Sequence, residues 1–508
     1  MSDNLLSLFK ARYKTQLDAP CLAYPDGRSW TYGDIDRLTG QFAALLLQEG
    51  VTPGDRVVVQ VEKSAAAVAL YLACLQTGTL YVPLNTAYTA NEVAFFLNDA
   101  KPRVFVCRPE SAAAYTVIIQ SAGVQQTLLL GQDESSPAWK AAMQLSPLES
   151  VVTRQGQDSA CIIYTSGTTG RSKGAMLSHA NLSSNAVSLH RIWGFRPGDV
   201  LLHALPIYHV HGLFVALHCA LLNASKIIFM PGFNVDQIIT ALPQATVLMG
   251  VPTFYTRLLN SADFGRQHCA HMRLFISGSA PLAEKTHLEF EQRTGYKILE
   301  RYGMTEAGMI TSNPLDGERL AGTVGYPLPD VEVRVADSEG KPVAAGVTGN
   351  IEIRGPNVFS GYWGLPEKTA QDFRADGFFI TGDVGVLTTD GRLTISGRSK
   401  DLIISGGYNV YPREVELCLD NITGISESAV IGLPHPDFGE AVTAILVKND
   451  PALDESRIMQ KLAEQLARYK QPKRIIFIDA LPRNSMGKVQ KNLLRERYRD
   501  TYTGSMIK

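Results

Sequence analysis

CIIYTS, residues 161–166, runs without a break into GTTGRSKG, residues 167–174. A short β-branched run that enters a glycine-rich turn reads as a strand delivering its chain to an anion. Gly167, Gly170 and Gly174 let the backbone come close and aim its N–H groups inward. Thr165, Ser166, Thr168, Thr169 and Ser172 add hydroxyls, and Lys173 adds a charge. A plain surface turn is the competing reading; it leaves the coincidence of strand, glycines and lysine unexplained. The common nucleotide P-loop requires GxxxxGK followed by Ser or Thr. Here Arg171 follows Gly170 and Gly174 follows Lys173, so an ordinary P-loop ATPase is excluded at this loop.

Outward from this strand, apolar strand-like runs alternate with helical ones. Upstream, residues 55–62 (DRVVVQVE), 80–83 and 103–107 read as strands. Residues 64–76 (SAAAVALYLACLQ) read as a helix ended by Gly78, and 89–100 as a helix opened by Thr89 with Glu92 three residues on. Downstream, strands at 247–251 and 274–277 are each followed by a helix, at 252–260 and 284–293. This alternation predicts parallel sheets covered by helices. From residue 323 to 398 the pattern changes to short strands and turns with little helix, a small β subdomain. A further boundary falls at 398–401, and the last hundred residues mix strands with helices at 412–419 and 454–469. The expected fold class is α/β: a large N-terminal domain (1–398) of two parallel α/β subdomains plus the β subdomain, then a small α+β domain over 402–508.

Composition narrows the function classes. The 508 residues are 45% hydrophobic and 19% charged, with a net charge of −1, so no basic surplus points to nucleic acid or an anionic membrane. The seven cysteines are scattered without a CxxC pair, which argues against a disulfide framework or cysteine-based zinc and suits a reducing, cytoplasmic setting. The opening residues, MSDNLLSLFKARYK, carry no long apolar signal, and no run is long enough to span a bilayer.

Five strings taken in order resemble the adenylate-forming superfamily of acyl-CoA synthetases, carrier-loading adenylation domains and luciferases. They are TSGTTGRSKGAM (165–176), ERYGMTE (300–306), FFITGD (378–383), GRSKDLIISGGYNVYPREVE (397–416) and PRNSMGKVQK (482–491). The resemblance implies ATP, Mg2+ and coenzyme A as the reagents. Glu306 would ligate magnesium, Thr305 would donate to the forming adenylate, and Lys488 would bridge the acid and the α-phosphate. Nucleotide contacts would come from the loop and Lys173, from Gly278, Ser279 and Ala280, and from Glu300, Tyr302, Gly303 and Met304. Asp383 and Arg398 would take the ribose. The small domain would be mobile, turning on a hinge at 399–401 centred on Lys400. Gly406, Gly407 and Tyr408 would then line the tunnel for the thiol.

The local strings LPIYHVHGLF (205–214), MGVPTFYTRLL (249–259) and LFISGSAPL (274–282) look like malonyl-CoA synthetases. His209 would stand at the mouth of the acyl pocket. A dicarboxylate keeps one carboxylate un-activated, and burying it unpaired is costly, so a cation must wait for it. Arg257 is the candidate from sequence, with Ser279 adding a hydroxyl; an exposed helix arginine is the alternative. The reaction expected is formation of malonyl-CoA, or methylmalonyl-CoA, from the free acid through an acyl-adenylate. A short monocarboxylate ligase, an enzyme loading a carrier in trans, and a silent nucleotide-binding protein remain open. The partners are the acid and coenzyme A, with the chain a monomer or homodimer.

Overall fold

The computed structural model describes residues 3–165, 172–484 and 487–502. The loop residues Ser166, Gly167, Thr168, Thr169 and Gly170 lie outside the described residues. Two large sheets carry the N-terminal part. One has seven strands, in the order Gly361–Tyr362, Lys173–Ser178, Ser159–Thr165, Leu80–Pro83, Arg56–Gln60, Val104–Cys107 and Gln126–Leu129. Its last five strands are mutually parallel, and Lys173–Ser178 returns antiparallel to Ser159–Thr165. The other has nine strands. Its parallel centre runs Leu299–Met304, Leu274–Ser277, Val247–Gly250, Val200–His203, Lys226–Phe229 and Pro20–Ala23.

The run SAAAVALYLACLQT explains how the layers meet. It forms the helix Ala65–Thr77, capped by the Ser64 hydroxyl and ended by Gly78 at φ 73°. Every residue of that helix is buried. A helix apolar on all sides has to be covered on all sides, and this one lies in the large hydrophobic cluster that holds residues from both sheets.

Glu332–Ala336, Gly349–Arg354, Phe379–Leu387 and Leu393–Arg398 form a four-stranded antiparallel sheet. A helix, Pro366–Asp372, interrupts this stretch, where sequence predicted little helix. Pro366 at its first position, where no N–H is needed, opens it. Beyond a one-turn segment at Ser399–Asp401, a five-stranded sheet is built on the long pair Ile425–His435 and Gly439–Lys448. The apolar residues of 403–502 make two clusters of their own, apart from the large cluster that ends at Leu393. The helix expected over 454–469 is shorter, Glu455–Ala463. Beyond it the Gln471 side-chain amide takes the Leu466 carbonyl at 2.8 Å, which an extended helix would have kept for its own backbone.

Candidate active site

The carboxyl ends of the central strands converge where the nine-stranded sheet, the β subdomain and the small domain meet. Strand Leu299–Met304 turns back on itself through Glu306 into Gly308–Ser312, with a register shift at Tyr302 and Gly303. Gly303 is needed at that shift, since a Cβ there would stand 2.2 Å from the Gly308 carbonyl oxygen. The Tyr302 hydroxyl donates to Asp383 Oδ2 at 2.6 Å, and Arg398 Nε lies 2.9 Å from Asp383 Oδ1. Asp383 and Arg398 face each other across paired strands. The structure therefore brings Tyr302, Asp383 and Arg398 into one polar cluster.

Glu306 is buried, and burial raises its carboxyl above the ordinary range. Tyr362 offsets part of this by donating its hydroxyl to Glu306 Oε1 at 3.1 Å. The face of the same Tyr362 ring holds the Lys173 ammonium, 4.4 Å from its centroid. Lys173 opens the strand Lys173–Ser178 rather than lying in the loop. Its nearest carboxylate is Asp372 at 4.0 Å, which is also paired with Lys368 at 2.6 Å. Burial draws Lys173 below the usual lysine range, while Asp372 holds it up. Glu306 suits a magnesium ion that takes one protein carboxylate and fills its remaining positions with water and substrate phosphate. Thr305 and Met304 are half-buried beside it, and Thr165 ends its strand opposite Lys173.

Lys488 enters this cluster from the small domain. Its turn closes on itself: Asn484 N–H donates to the Lys488 carbonyl at 3.0 Å, and Gly487 N–H to the Asn484 carbonyl at 2.9 Å. Gly487 packs on helix Pro252–Leu259, where an added Cβ would come within 3.0 Å of Thr253 Oγ1. Water still reaches Lys488, but cleft walls surround it. That crowding, helped by Arg398, pulls its ammonium down to about 8, while Asp383 and Asp401 hold it up. Lys400 lies in the same field, and Asp401 is tied to Arg495 at 2.6 Å.

Close to this cluster stands a group the sequence reading missed. Arg301 follows Glu300 in the strand, so its side chain takes the opposite face. It is 3% exposed, and its Nε and Nη2 have no hydrogen-bond partner among the described residues. Burial lowers its pKa to about 9, which leaves it charged at neutral pH. Gly278 makes room for it: a Cβ there would lie 2.5 Å from Arg301 Cζ. Ser279 follows at φ 71°, an unusual conformation for a non-glycine residue, and its Oγ stands 3.3 Å from His211 Nδ1. Half-buried Ala280 comes next. Burial, with Arg301 and Lys488 in reach, pulls His209 down to about 4, so its imidazole is neutral at pH 7.

Five expected residues stand elsewhere. Arg257 is exposed on its helix and has no partner among the described residues, though it shares a face with Thr253. Glu300 turns its carboxyl to His287, 3.5 Å away. Gly406, Gly407 and Tyr408 form an open hairpin, with Tyr408 60% exposed and its ring tilted against that of Tyr469. The signal that could have found Arg301 is an arginine in a buried strand, on the face opposite Glu300, with a glycine just past the end of the neighbouring strand.

Comparison with known proteins agrees with this architecture. Residues 9–363 match the family model described as AMP-binding enzyme, and residues 414–488 match that of the AMP-binding enzyme C-terminal domain. The chain is 34% identical to the malonate–CoA ligase of Arabidopsis thaliana, over 97% of this chain and 89% of that protein. It is 34% identical to the human mitochondrial malonate–CoA ligase, over 87% of this chain and 82% of that one. The crystal structure of ATP-bound MatB from Rhodopseudomonas palustris is 49% identical, covers 99% of this chain and 100% of its own, and superposes with a TM-score of 0.97.

Proposed function

We propose, since this chain belongs to the AMP-binding enzyme family, that it joins malonate or methylmalonate to coenzyme A at the expense of ATP, through an acyl-adenylate. The observation that carries this reading is Arg301. A buried guanidinium with two unpaired nitrogens is costly, and a substrate carboxylate would satisfy it. The relatives named as malonate–CoA ligases support the same acid. Cytoplasmic work is part of the proposal, supported by seven cysteines that all remain free thiols.

The chemistry follows from charge. One carboxylate of the acid attacks the α-phosphate of ATP, an anion approaching an anion, and pyrophosphate leaves. Lys488 would lie between the two, and Lys173 would meet the departing phosphates. Asp383, oriented by Tyr302 and Arg398, would accept the ribose hydroxyls. Magnesium, when bound at Glu306, neutralises phosphate charge. The second carboxylate would meet Arg301, with the Ser279 hydroxyl beside it. In the second half-reaction the thiol of coenzyme A attacks the acyl carbon and AMP leaves. Lys488 would have to withdraw, and Gly406, Gly407 and Tyr408 would swing in as the small domain turns at Lys400.

The test is release of pyrophosphate and AMP with ATP, magnesium and coenzyme A, across malonate, methylmalonate, succinate, acetate and butyrate. Dicarboxylates should turn over and monocarboxylates should barely react. Arg301→Met should lose about a hundredfold or more in kcat/KM for malonate, the scale of an unpaired buried carboxylate, and much less for butyrate. Malonate kinetics untouched by Arg301→Met but lost in Arg257→Leu would move the clamp to Arg257. Turnover confined to monocarboxylates would discard the dicarboxylate pocket.

A further inference from the structure

Lys63, in the chain that leaves strand Arg56–Gln60, has no carboxylate partner among the described residues. Its Nζ lies 2.8 Å from His203 Nδ1, 2.8 Å from the His203 carbonyl oxygen and 4.4 Å from the centre of the Phe229 ring. His203 ends a strand of the other large sheet and is 1% exposed. Its second nitrogen, Nε2, stands 2.9 Å from the Gly212 carbonyl oxygen.

A carbonyl only accepts, so His203 Nε2 must carry the proton. Nδ1 is then bare and accepts from Lys63. The tautomer of His203 is thereby set from both sides, by a residue of one sheet and a carbonyl above the other.

The Gly212 carbonyl also accepts the Leu217 N–H, the wide i to i+5 bond of the π-helical turn His211–Ala216. Such turns are uncommon and concentrate at functional sites. The imidazole N–H gives that carbonyl a second donor. Only glycine fits at this close approach, because a Cβ there would fall 2.0 Å from the Pro206 carbonyl oxygen. The turn begins at His211, whose Nδ1 faces Ser279 Oγ at 3.3 Å.

We infer that Lys63 is a positioning residue for the acid pocket: by holding His203 as its Nε2–H tautomer, it fixes the π-helical turn that sets His211 against Ser279. The inference rests on the acid pocket proposed above. Lys63 itself touches neither acid nor nucleotide.

The experiment compares steady-state constants for malonate and for ATP in the wild type, Lys63→Met and Lys63→Arg. It adds the imidazole 15N shifts of His203 in histidine-labelled protein, assigned with His203→Gln. Lys63→Met should raise the malonate KM about tenfold, leave the ATP KM within twofold, and move the His203 15N pair away from the Nε2–H pattern. Lys63→Arg, which can still donate to Nδ1, should recover most of the loss. Equal rises in both KM values, or an unchanged malonate KM, would overturn the inference. Should Lys63→Met fail to fold, His203→Gln decides. An amide donates to Gly212 without help, so adding the donor-less Lys63→Ala to it should cost nothing further in malonate KM; an added loss would overturn the inference. A wild type that releases no pyrophosphate with any acid would refute the proposed function itself. An active wild type with an indifferent Lys63 refutes this inference alone.

Discussion

Lys488 carries a proton at neutral pH but holds it less firmly than a free lysine, with its pKa drawn down to about 8. In the role proposed for it, the ammonium form is the working one. The sign follows: adenylate formation should be full near pH 7 and fall as pH rises through 8 toward 9, approaching tenfold per unit above that. The thioester step from supplied acyl-adenylate, from which Lys488 would have withdrawn under that proposal, should not share that limb. Lys488→Arg should give a slower enzyme with a flat profile, since a guanidinium stays charged across the range. Measuring pyrophosphate release and thioester formation separately against pH checks this. An identical alkaline limb in both half-reactions would remove Lys488 from the first. Arg301 gives no such limb below pH 8, because its pKa remains about 9.

At the scale of the element, a two-residue strand does more than its length suggests. Gly361–Tyr362 pairs with Lys173–Ser178 and so puts one aromatic ring between Lys173 and Glu306. Tyr362→Phe keeps the ring face and loses the hydroxyl. It should raise the magnesium needed for half-maximal adenylation about tenfold, as removal of a ligand's supporting hydrogen bond does, with little change in ATP affinity. Tyr362→Leu should weaken both. Titration with Mn2+ by electron spin resonance in the presence of ATP reads the metal directly. These elements were unequally legible in the sequence. Asp383, Arg398 and Tyr302 were found because they sit in the ordered strings; Asp383 and Arg398 meet by local strand pairing, and Tyr302 reaches Asp383 from another sheet. The partners of Lys173 were not, because Asp372 and Tyr362 reach it from nearly two hundred residues away. Arg301 escaped because charge within a strand has no periodic signal, and Arg257, at helical spacing, offered a plausible cation in its place. The π-helical turn His211–Ala216 was not foreseen, since nothing in an apolar string distinguishes i to i+5 bonding from i to i+4.

For the whole molecule, the decisive feature is the one-turn segment Ser399–Asp401 between two bodies. Lys400→Pro fixes φ at residue 400 and so removes freedom at the proposed pivot. It should spare adenylate formation and cut thioester formation at least tenfold, read as pyrophosphate against acyl-CoA in a single turnover. Losing both equally would mean the pivot lies elsewhere. The two small clusters of 403–502 and the large cluster ending at Leu393 never merge among the described residues. With their apolar clusters separate, the two bodies share the polar and charged groups gathered around Lys488. Contact of that kind is a matter of ionic strength as much as of ligand. Added salt, screening charges beyond about 10 Å at 0.1 M, should loosen the small domain from its seat before it disturbs either core.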